Sequence, residues 1–297
     1  MLSLAALAGL AHDHREELDL PVAPLCVGDR LFDVDTSPVI MGCVNLSRDS
    51  TYRESIAVSA GAAIRKARVM AAQGAAIVDL GAESSTAAAE RVPASSQSDA
   101  LVPVVEELAA SDTIISVESY APSVVHDCLK AGARVVNLTG ATDEEEIFDL
   151  AARYGATVIL CYVAGANVRV ITDATASDDP MPELLDHFTA RVAKARAHGV
   201  SNIVIDPGMG FFYGNLVDPA VRVQHQARVL LSTFRLRRLG LPVCQAMPHA
   251  FDLFGDQFRT AEGFFTTLAY LGGTSVYRTH EVPHVRAVLD AMALLHA

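Results

Sequence analysis

Eight short apolar runs recur along the chain, and nearly every one ends in a polar residue or a glycine. They are VIMGCVN (39–45), AIVDLGAES (76–84), IISVESY (114–120), VVNLTG (135–140), TVILCYV (157–163), NIVIDPG (202–208), PVCQAM (242–247) and TSVYRTH (274–280). Longer stretches rich in Ala, Leu and Val at helical spacing separate them. Strand and helix alternating eight times predicts an α/β fold, the (β/α)8 TIM barrel, whose chemistry sits at the C-terminal ends of its strands. Those ends carry Asn45, Glu83, Glu118, Asn137, Tyr162, Asp206 and the pair Arg278 and His280.

A chain of 297 residues suits one barrel of about 250 residues, with a short N-terminal extension over 1–37, a barrel over 38–297 and no linker. The 51% of apolar residues allows a large core. A net charge of −12 argues against nucleic acid or an anionic membrane as partner, because both need a basic face. The cysteines (Cys26, Cys43, Cys128, Cys161, Cys244) are scattered and form no CxxC pair, so they read as reduced core thiols. The opening LSLAALAGLA lacks a basic leader, runs straight into HDHREELD and is too short to span a bilayer. It reads as a short helix, capping the barrel floor or joining a subunit contact, and the expected location is cytoplasmic.

Three polar connections are longer than a tight turn requires: 46–55, 84–98 and 164–182. Long loops at the catalytic end of a barrel act as lids or position substrates. AGAAIRKARVMAAQGA, DEEEIFDLAARYG, PELLDHFTARVAKARAHG and HVRAVLDAMALLHA read as helices, as does a segment opening at APSVV with Pro122 in its first turn.

Two constellations carry chemistry. Arg278 and His280, two apart on one strand, point to the same face and together suit phosphate oxygens. Arg278 reads equally as half of a salt bridge to Glu281 or another carboxylate. Asp206, opening DPGMGF, suits the paired N–H groups of a flat heterocycle, or caps a Pro-Gly turn. Met209 and Phe211 read equally as pocket walls and as ordinary packing.

Taken in order, MGCVN…DS, DLGAES, SVESY, VVN, DPGMGF and RTHEV resemble the dihydropteroate synthase family from about residue 38 to the C-terminus. The resemblance implies a barrel that joins 6-hydroxymethyl-dihydropterin diphosphate to p-aminobenzoate, releasing pyrophosphate. It implies that Asp206 and Asn137 bind the pterin, with Met209 and Phe211 as walls. Asn45 and Asp49 would approach the metal-diphosphate, with Mg²⁺ held by diphosphate oxygens and Asn45. Arg278 and His280 would stabilise the departing diphosphate. A homodimer is also implied, for which Val285 and the closing segment Ala287–Ala297 offer apolar surface.

Several positions depart from the family pattern. V-D-T-Y-K reads VESYA, so the pterin-contacting Asp is Glu118, and its extra methylene moves the carboxylate by roughly 1 Å, a displacement that can cost about a hundredfold in rate. S-R-K-S-F reads MPHAF, setting His249 at the lysine and Pro248 at the arginine; a lost charged hydrogen bond forfeits roughly 1.5–3 kcal/mol. The arginine of E-S-T-R-P-G aligns with Thr86, with Arg48 or Arg53 as candidate substitutes. The Asp after the family's Asn is Leu138, the His ending strand five is Tyr162, and G-F-G-K has become GFFYG.

The expected function is therefore altered or weak transferase chemistry on a pterin-like heterocycle. Glu118, His249, Arg278 and His280 are the catalytic candidates, with His249 exchanging protons near neutral pH. The alternatives are a non-catalytic pterin-binding or structural subunit, an ordinary synthase, and a methyltetrahydrofolate-type methyltransferase.

Overall fold

The computed structural model describes residues 2–47, 56, 57, 59–84, 90–163, 165–167, 170, 171, 179–209 and 218–295. Eight strands run in the predicted places: β1 (Val39–Asn45), β2 (Ile77–Gly81), β3 (Ile114–Glu118), β4 (Val135–Leu138), β5 (Thr157–Cys161), β6 (Ile203–Asp206), β7 (Cys244–Ala246) and β8 (Val276–Thr279). Every hydrogen-bonded pair among them is parallel, in the order β6-β5-β4-β3-β2-β1-β8-β7. A parallel bridge between Ile205 and Val243, with Ile205 N donating to Pro242 O at 3.0 Å, closes the ring. Parallel strands need crossovers, and helices supply them: α1 (Ala60–Ala72), α2 (Ala94–Ala109), α3 (Pro122–Ala131), α4 (Glu144–Tyr154), α5 (Met181–Ala197), α6 (Pro219–Ser232), α7 (Phe258–Leu271) and α8 (Val282–Leu295).

Alternation along each strand divides the apolar residues into two layers. Outward residues such as Ile40, Val44, Val78 and Leu80 pack with the helices in one large cluster. Inward residues at the strand starts, among them Met41, Ile77, Ile114, Val135 and Val276, form a second cluster. That inner cluster includes Leu25, Val27 and Val34. The antiparallel pair Leu25–Val27 and Arg30–Phe32 thus plugs the barrel floor, fastened by Thr157 Oγ1 donating to Cys26 O at 2.5 Å. The expectation that the opening helix caps the floor is corrected: Leu4–Asp13 buries no residue fully, and only Leu7 and Leu10 lean on the core.

Two of the loops also differ from expectation. The second loop ends at Pro93, not residue 98, because α2 begins at Ala94. Its first turn is Ser-rich and a weak helix former, but Gln97 Nε2 donates to Val92 O at 2.9 Å and Ser98 Oγ to Asp127 Oδ2 at 2.7 Å, so tertiary bonds override propensity. Within 164–182, read as irregular, Gly165–Asn167 and Val170–Ile171 pair antiparallel, and Asn167 bridges Gly140 beyond β4.

One buried cation braces the catalytic end. Arg191 of α5 donates to Glu144 Oε2 (2.9 Å), to Cys161 O at the end of β5 (2.7 Å) and to Gly140 O past β4 (3.1 Å). Arg191→Met strands the buried Glu144 carboxylate and two carbonyls, so urea unfolding should show a loss of about 3 kcal/mol. Lys194, 3.2 Å from Glu144, keeps the loss at the low end of that class.

Candidate functional site

Register brings Asn45, Gly81, Glu118 and Asn137 side by side on β1 to β4 at the barrel mouth. Two residues deeper along the strand lies Asp79 of β2, a carboxylate the sequence reading passed over, 1% exposed. Asp79 accepts from Ser116 Oγ (2.6 Å), Asn137 Nδ2 (3.0 Å) and Arg278 Nε (2.8 Å). Arg278 reaches across the barrel from β8 and also donates through Nη2 to Glu118 Oε2. Asn137 in turn accepts from the Cys161 thiol at 3.1 Å, so its amide is fixed at both ends.

Asp206 ends β6, with 4% of its surface exposed, and accepts from Gly208 N at 2.7 Å. Burial is the largest influence on it and pushes its carboxyl up to about 6, against the Gly208 bond and Arg278, with Asp79 adding to the rise. Glu118 is pushed up to about 7 by burial, opposed by Arg278 and reinforced by Asp79, Asp206 and Glu83. Two carboxylates thus share one guanidinium, and a third, Asp206, feels it through space. A pocket with such an excess of acceptors favours a ligand that brings N–H donors.

The predicted anion pair has a different setting from the one expected. Two of the five N–H donors of Arg278 are committed to carboxylates. His280 is held neutral, its pKa pushed well below the usual range by burial and by the neighbouring His249 and Arg278. His249 likewise falls to about 4, mainly through burial. The expectation that His249 exchanges protons near neutral pH is therefore corrected; Glu118 and Asp206 are the groups poised there.

His249 stacks on Phe251 (centroids 5.3 Å apart, planes 3° apart), and its ring lies 5.4 Å from that of His280. Beside the mouth, Glu83 accepts from Tyr120 Oη (2.5 Å) and Val92 N (3.1 Å), and Arg91 donates to Tyr120 Oη (2.9 Å). Glu83, Gln97, Glu118, Tyr120 and Thr139 line a small cleft open to solvent. Met209, predicted as a pocket wall, is buried in the cluster that holds the strand–helix layer. Asp49, Phe211, Thr86, Arg48 and Arg53 lie outside the described residues. Asp79 did leave a sequence signal: it is the lone charge inside an otherwise apolar strand, IVDLG. A carboxylate there must meet partners inside the barrel.

Barrel and mouth together fit a known class. A family model described as pterin binding enzyme matches residues 41–280, which places the chain among the pterin-binding barrels. It is 32% identical over 271 residues to a dihydropteroate synthase of Synechocystis sp., covering 87% of this chain and 90% of the relative. It is 25% identical over 270 residues to the dihydropteroate synthase of Escherichia coli, covering 88% and 91%. The solved structure of a Xanthomonas albilineans dihydropteroate synthase with 4-aminobenzoic acid superposes with a TM-score of 0.77 at 26% identity, over 93% of this chain and 99% of the other. The chain belongs to the dihydropteroate synthase family.

Proposed function

We propose that this protein is a transferase of the dihydropteroate synthase type, condensing a pterin methyl diphosphate with an arylamine. The observation that carries the reading is the buried acceptor cluster of Asp206, Asn137 and Asp79, closed by Arg278, in a barrel 32% identical to a named synthase. Asp206 accepts the N–H groups of the pterin edge, and Asn137, held by Asp79 and Cys161, lies beside it. The C–O bond between the pterin methylene and the diphosphate breaks, its electron pair leaving with the diphosphate. The amine nitrogen forms the new C–N bond and gives up one proton. Glu118, near 7, is the group matched to accept it.

A specific observation favours a weak or altered version of this chemistry. With Arg278 shared between Asp79 and Glu118 and His280 neutral, the mouth offers a diphosphate less positive charge than the residue types alone suggest. Among the described residues no group of three His, Cys, Asp or Glu is placed to hold a metal ion. A Mg²⁺ therefore fits only as a partner carried by diphosphate oxygens, with the Asn45 amide oxygen at the strand end as protein ligand. Bound there it would offset the negative charge of the leaving group. A purely structural subunit is disfavoured because a barrel with no ligand has no need of so large a buried acceptor excess.

Calorimetric titration with 6-hydroxymethyl-dihydropterin diphosphate and Mg²⁺, against the alcohol lacking the diphosphate, tests the reading. Diphosphate-dependent binding followed by pyrophosphate release with p-aminobenzoate is the expected result. Equal binding of both compounds with no turnover would point to a folate-type methyltransferase or a binding subunit, and no binding would end the pterin reading. We further propose a cytoplasmic homodimer. The exposed Leu271, Leu294 and Leu295 support such a contact on α7 and α8, and no helix of the described residues is long and apolar enough to cross a membrane.

A further inference from the structure

A guanidinium beside the mouth carries no carboxylate partner, and the mechanism above makes no use of it. Arg91, exposed at the foot of the second loop, donates through Nη1 to Tyr120 Oη at 2.9 Å. Among the described residues this phenol is the group it bonds, so four of its five N–H donors are uncommitted. They include the Nε–Nη2 edge, the side that grips a carboxylate with two parallel bonds. Glu83 lies beyond the phenol with both oxygens engaged: Oε2 accepts from Tyr120 Oη at 2.5 Å and Oε1 from Val92 N at 3.1 Å.

Neighbours, and not a counter-charge, hold the arginine in place. Val92 is tied on both sides, its N–H to Glu83 and its carbonyl to Gln97 Nε2 at 2.9 Å, which fixes the backbone from which Arg91 projects. Tyr120 is clamped at both ends. A methyl group on Gly140 would stand 2.9 Å from Tyr120 Cβ, so the tyrosine packs directly on that backbone, and its hydroxyl is pinned between Glu83 and Arg91. A cation held ready in this way loses little freedom when a ligand arrives.

Tyr120 also sets a length. It lines the same small cleft as Glu118, two residues before it, and its hydroxyl end lies at Arg91. A benzene ring substituted at opposite ends matches a tyrosine side chain. An arylamine lying along Tyr120 with its nitrogen at Glu118 therefore brings its far substituent level with the guanidinium. Arg278, by contrast, is already bonded to Asp79 and Glu118. We infer that Arg91 is a specificity-determining residue that binds an anionic group, a carboxylate in the simplest case, at the end of the arylamine opposite its nitrogen. The inference rests on the proposed function and adds to it the side chain that reads the charge of the second substrate.

Pyrophosphate release with p-aminobenzoate and with 4-aminobenzamide, which keeps the ring and the amine but drops the charge, tests the assignment. Arg91→Met should raise KM for the acid about 10-fold, the low end for a charged hydrogen bond because the site is open to solvent, and leave KM for the amide in place. Arg91→Lys, a point charge without the fork, should recover part of the loss. Arg91 is exposed, so neither variant threatens the fold. An Arg91→Met chain that matches wild type on the acid would overturn the inference. So would an equal rise for both arenes, which would make Arg91 a mere brace for Tyr120; in either case the proposed function stands. Should wild type release no pyrophosphate with either arene, the proposed function falls, and saturation-transfer NMR of the two arenes with the full chain decides the inference without turnover. An acid signal that vanishes in Arg91→Met, with none from the amide, would keep the anion site. An acid signal that is absent, or unchanged in Arg91→Met, would overturn it as well.

Discussion

Asp206→Asn is expected to abolish tight pterin binding and at the same time to raise the melting temperature. Both effects come from one carboxylate. The amide keeps the shape and can still accept from Gly208 N, but it offers the pterin edge one acceptor where the carboxylate offered a charged one. A charge-assisted bond is worth about 1.5–3 kcal/mol, so calorimetry should show affinity for the pterin compound falling by about 10- to 100-fold. Stability moves the other way. The Asp206 carboxyl stands at about 6 in the folded chain against an ordinary aspartate value of 3.8. A raised carboxyl favours folding below its unfolded pKa and works against it as pH climbs through the folded value. The difference is about 3 kcal/mol above pH 6, a cost that the neutral amide removes. Thermal melts at pH 7.5 and pH 4 make the check: the variant should gain at 7.5 and show little gain at 4. A functional carboxylate held at the expense of stability is what a binding site requires; a variant that binds as wild type, or melts lower at pH 7.5, would show that Asp206 is only a turn cap.

The barrel was legible because its strands are written as uninterrupted apolar runs ending in a polar residue. β1 is buried from Val39 to Val44, and β2 is buried throughout, so hydrophobicity alone locates them. The same local signal placed Glu118, Asn137, Asp206 and Arg278 at strand ends. Local signal does not say which of them touch. Asp79 and Arg278 are 199 residues apart in sequence and Glu118 and Arg278 are 160 apart, and ring closure alone brings them together. That pairing turned a predicted anion-binding arginine into the counter-charge of two carboxylates. Glu262 escaped notice for a related reason: in FRTAEGFFTTLAYL it looks like a solvated helix residue, and only the packing of α7 on β8 shows it to be dry. The same burial lowered His249, which the family alignment had offered as a proton-exchanging group, and His280, offered as an anion ligand. The floor plug divides the same way: PVAPLCVGDRLFDVDTSP reads as extended or hairpin-like, and Leu25–Val27 does pair with Arg30–Phe32, but nothing local says that the hairpin packs on the inner cluster of the barrel.

The guanidinium at the centre of this network sets the other large effect. Arg278→Met preserves most of the side-chain volume and leaves Asp79 and Glu118 buried without their cation. Breaking a buried pair from one side typically costs about 3–5 kcal/mol. A domain of this size loses roughly 2–4 °C for each kcal/mol, so the midpoint should fall by about 10 °C at pH 8. The loss should depend on pH in a defined direction. Glu118 already sits at about 7 because burial outweighs Arg278, and removing the arginine takes away the main influence holding it down. Its folded pKa then rises further above the unfolded 4.5. Folding becomes progressively less favourable as pH climbs through that window, and the stability returns as pH falls and Glu118 takes a proton. Melts between pH 5.5 and 8 should therefore diverge from wild type at the alkaline end and converge at the acid end. Arg278→Lys separates charge from geometry: one ammonium cannot reproduce the fork that joins Asp79 on β2 to Glu118 on β3. It should recover part of the alkaline stability without recovering diphosphate-dependent binding. Equal melting of wild type and Arg278→Met at pH 8 would mean that the two carboxylates are protonated in the resting protein, and that Arg278 is held in reserve for the anion after all.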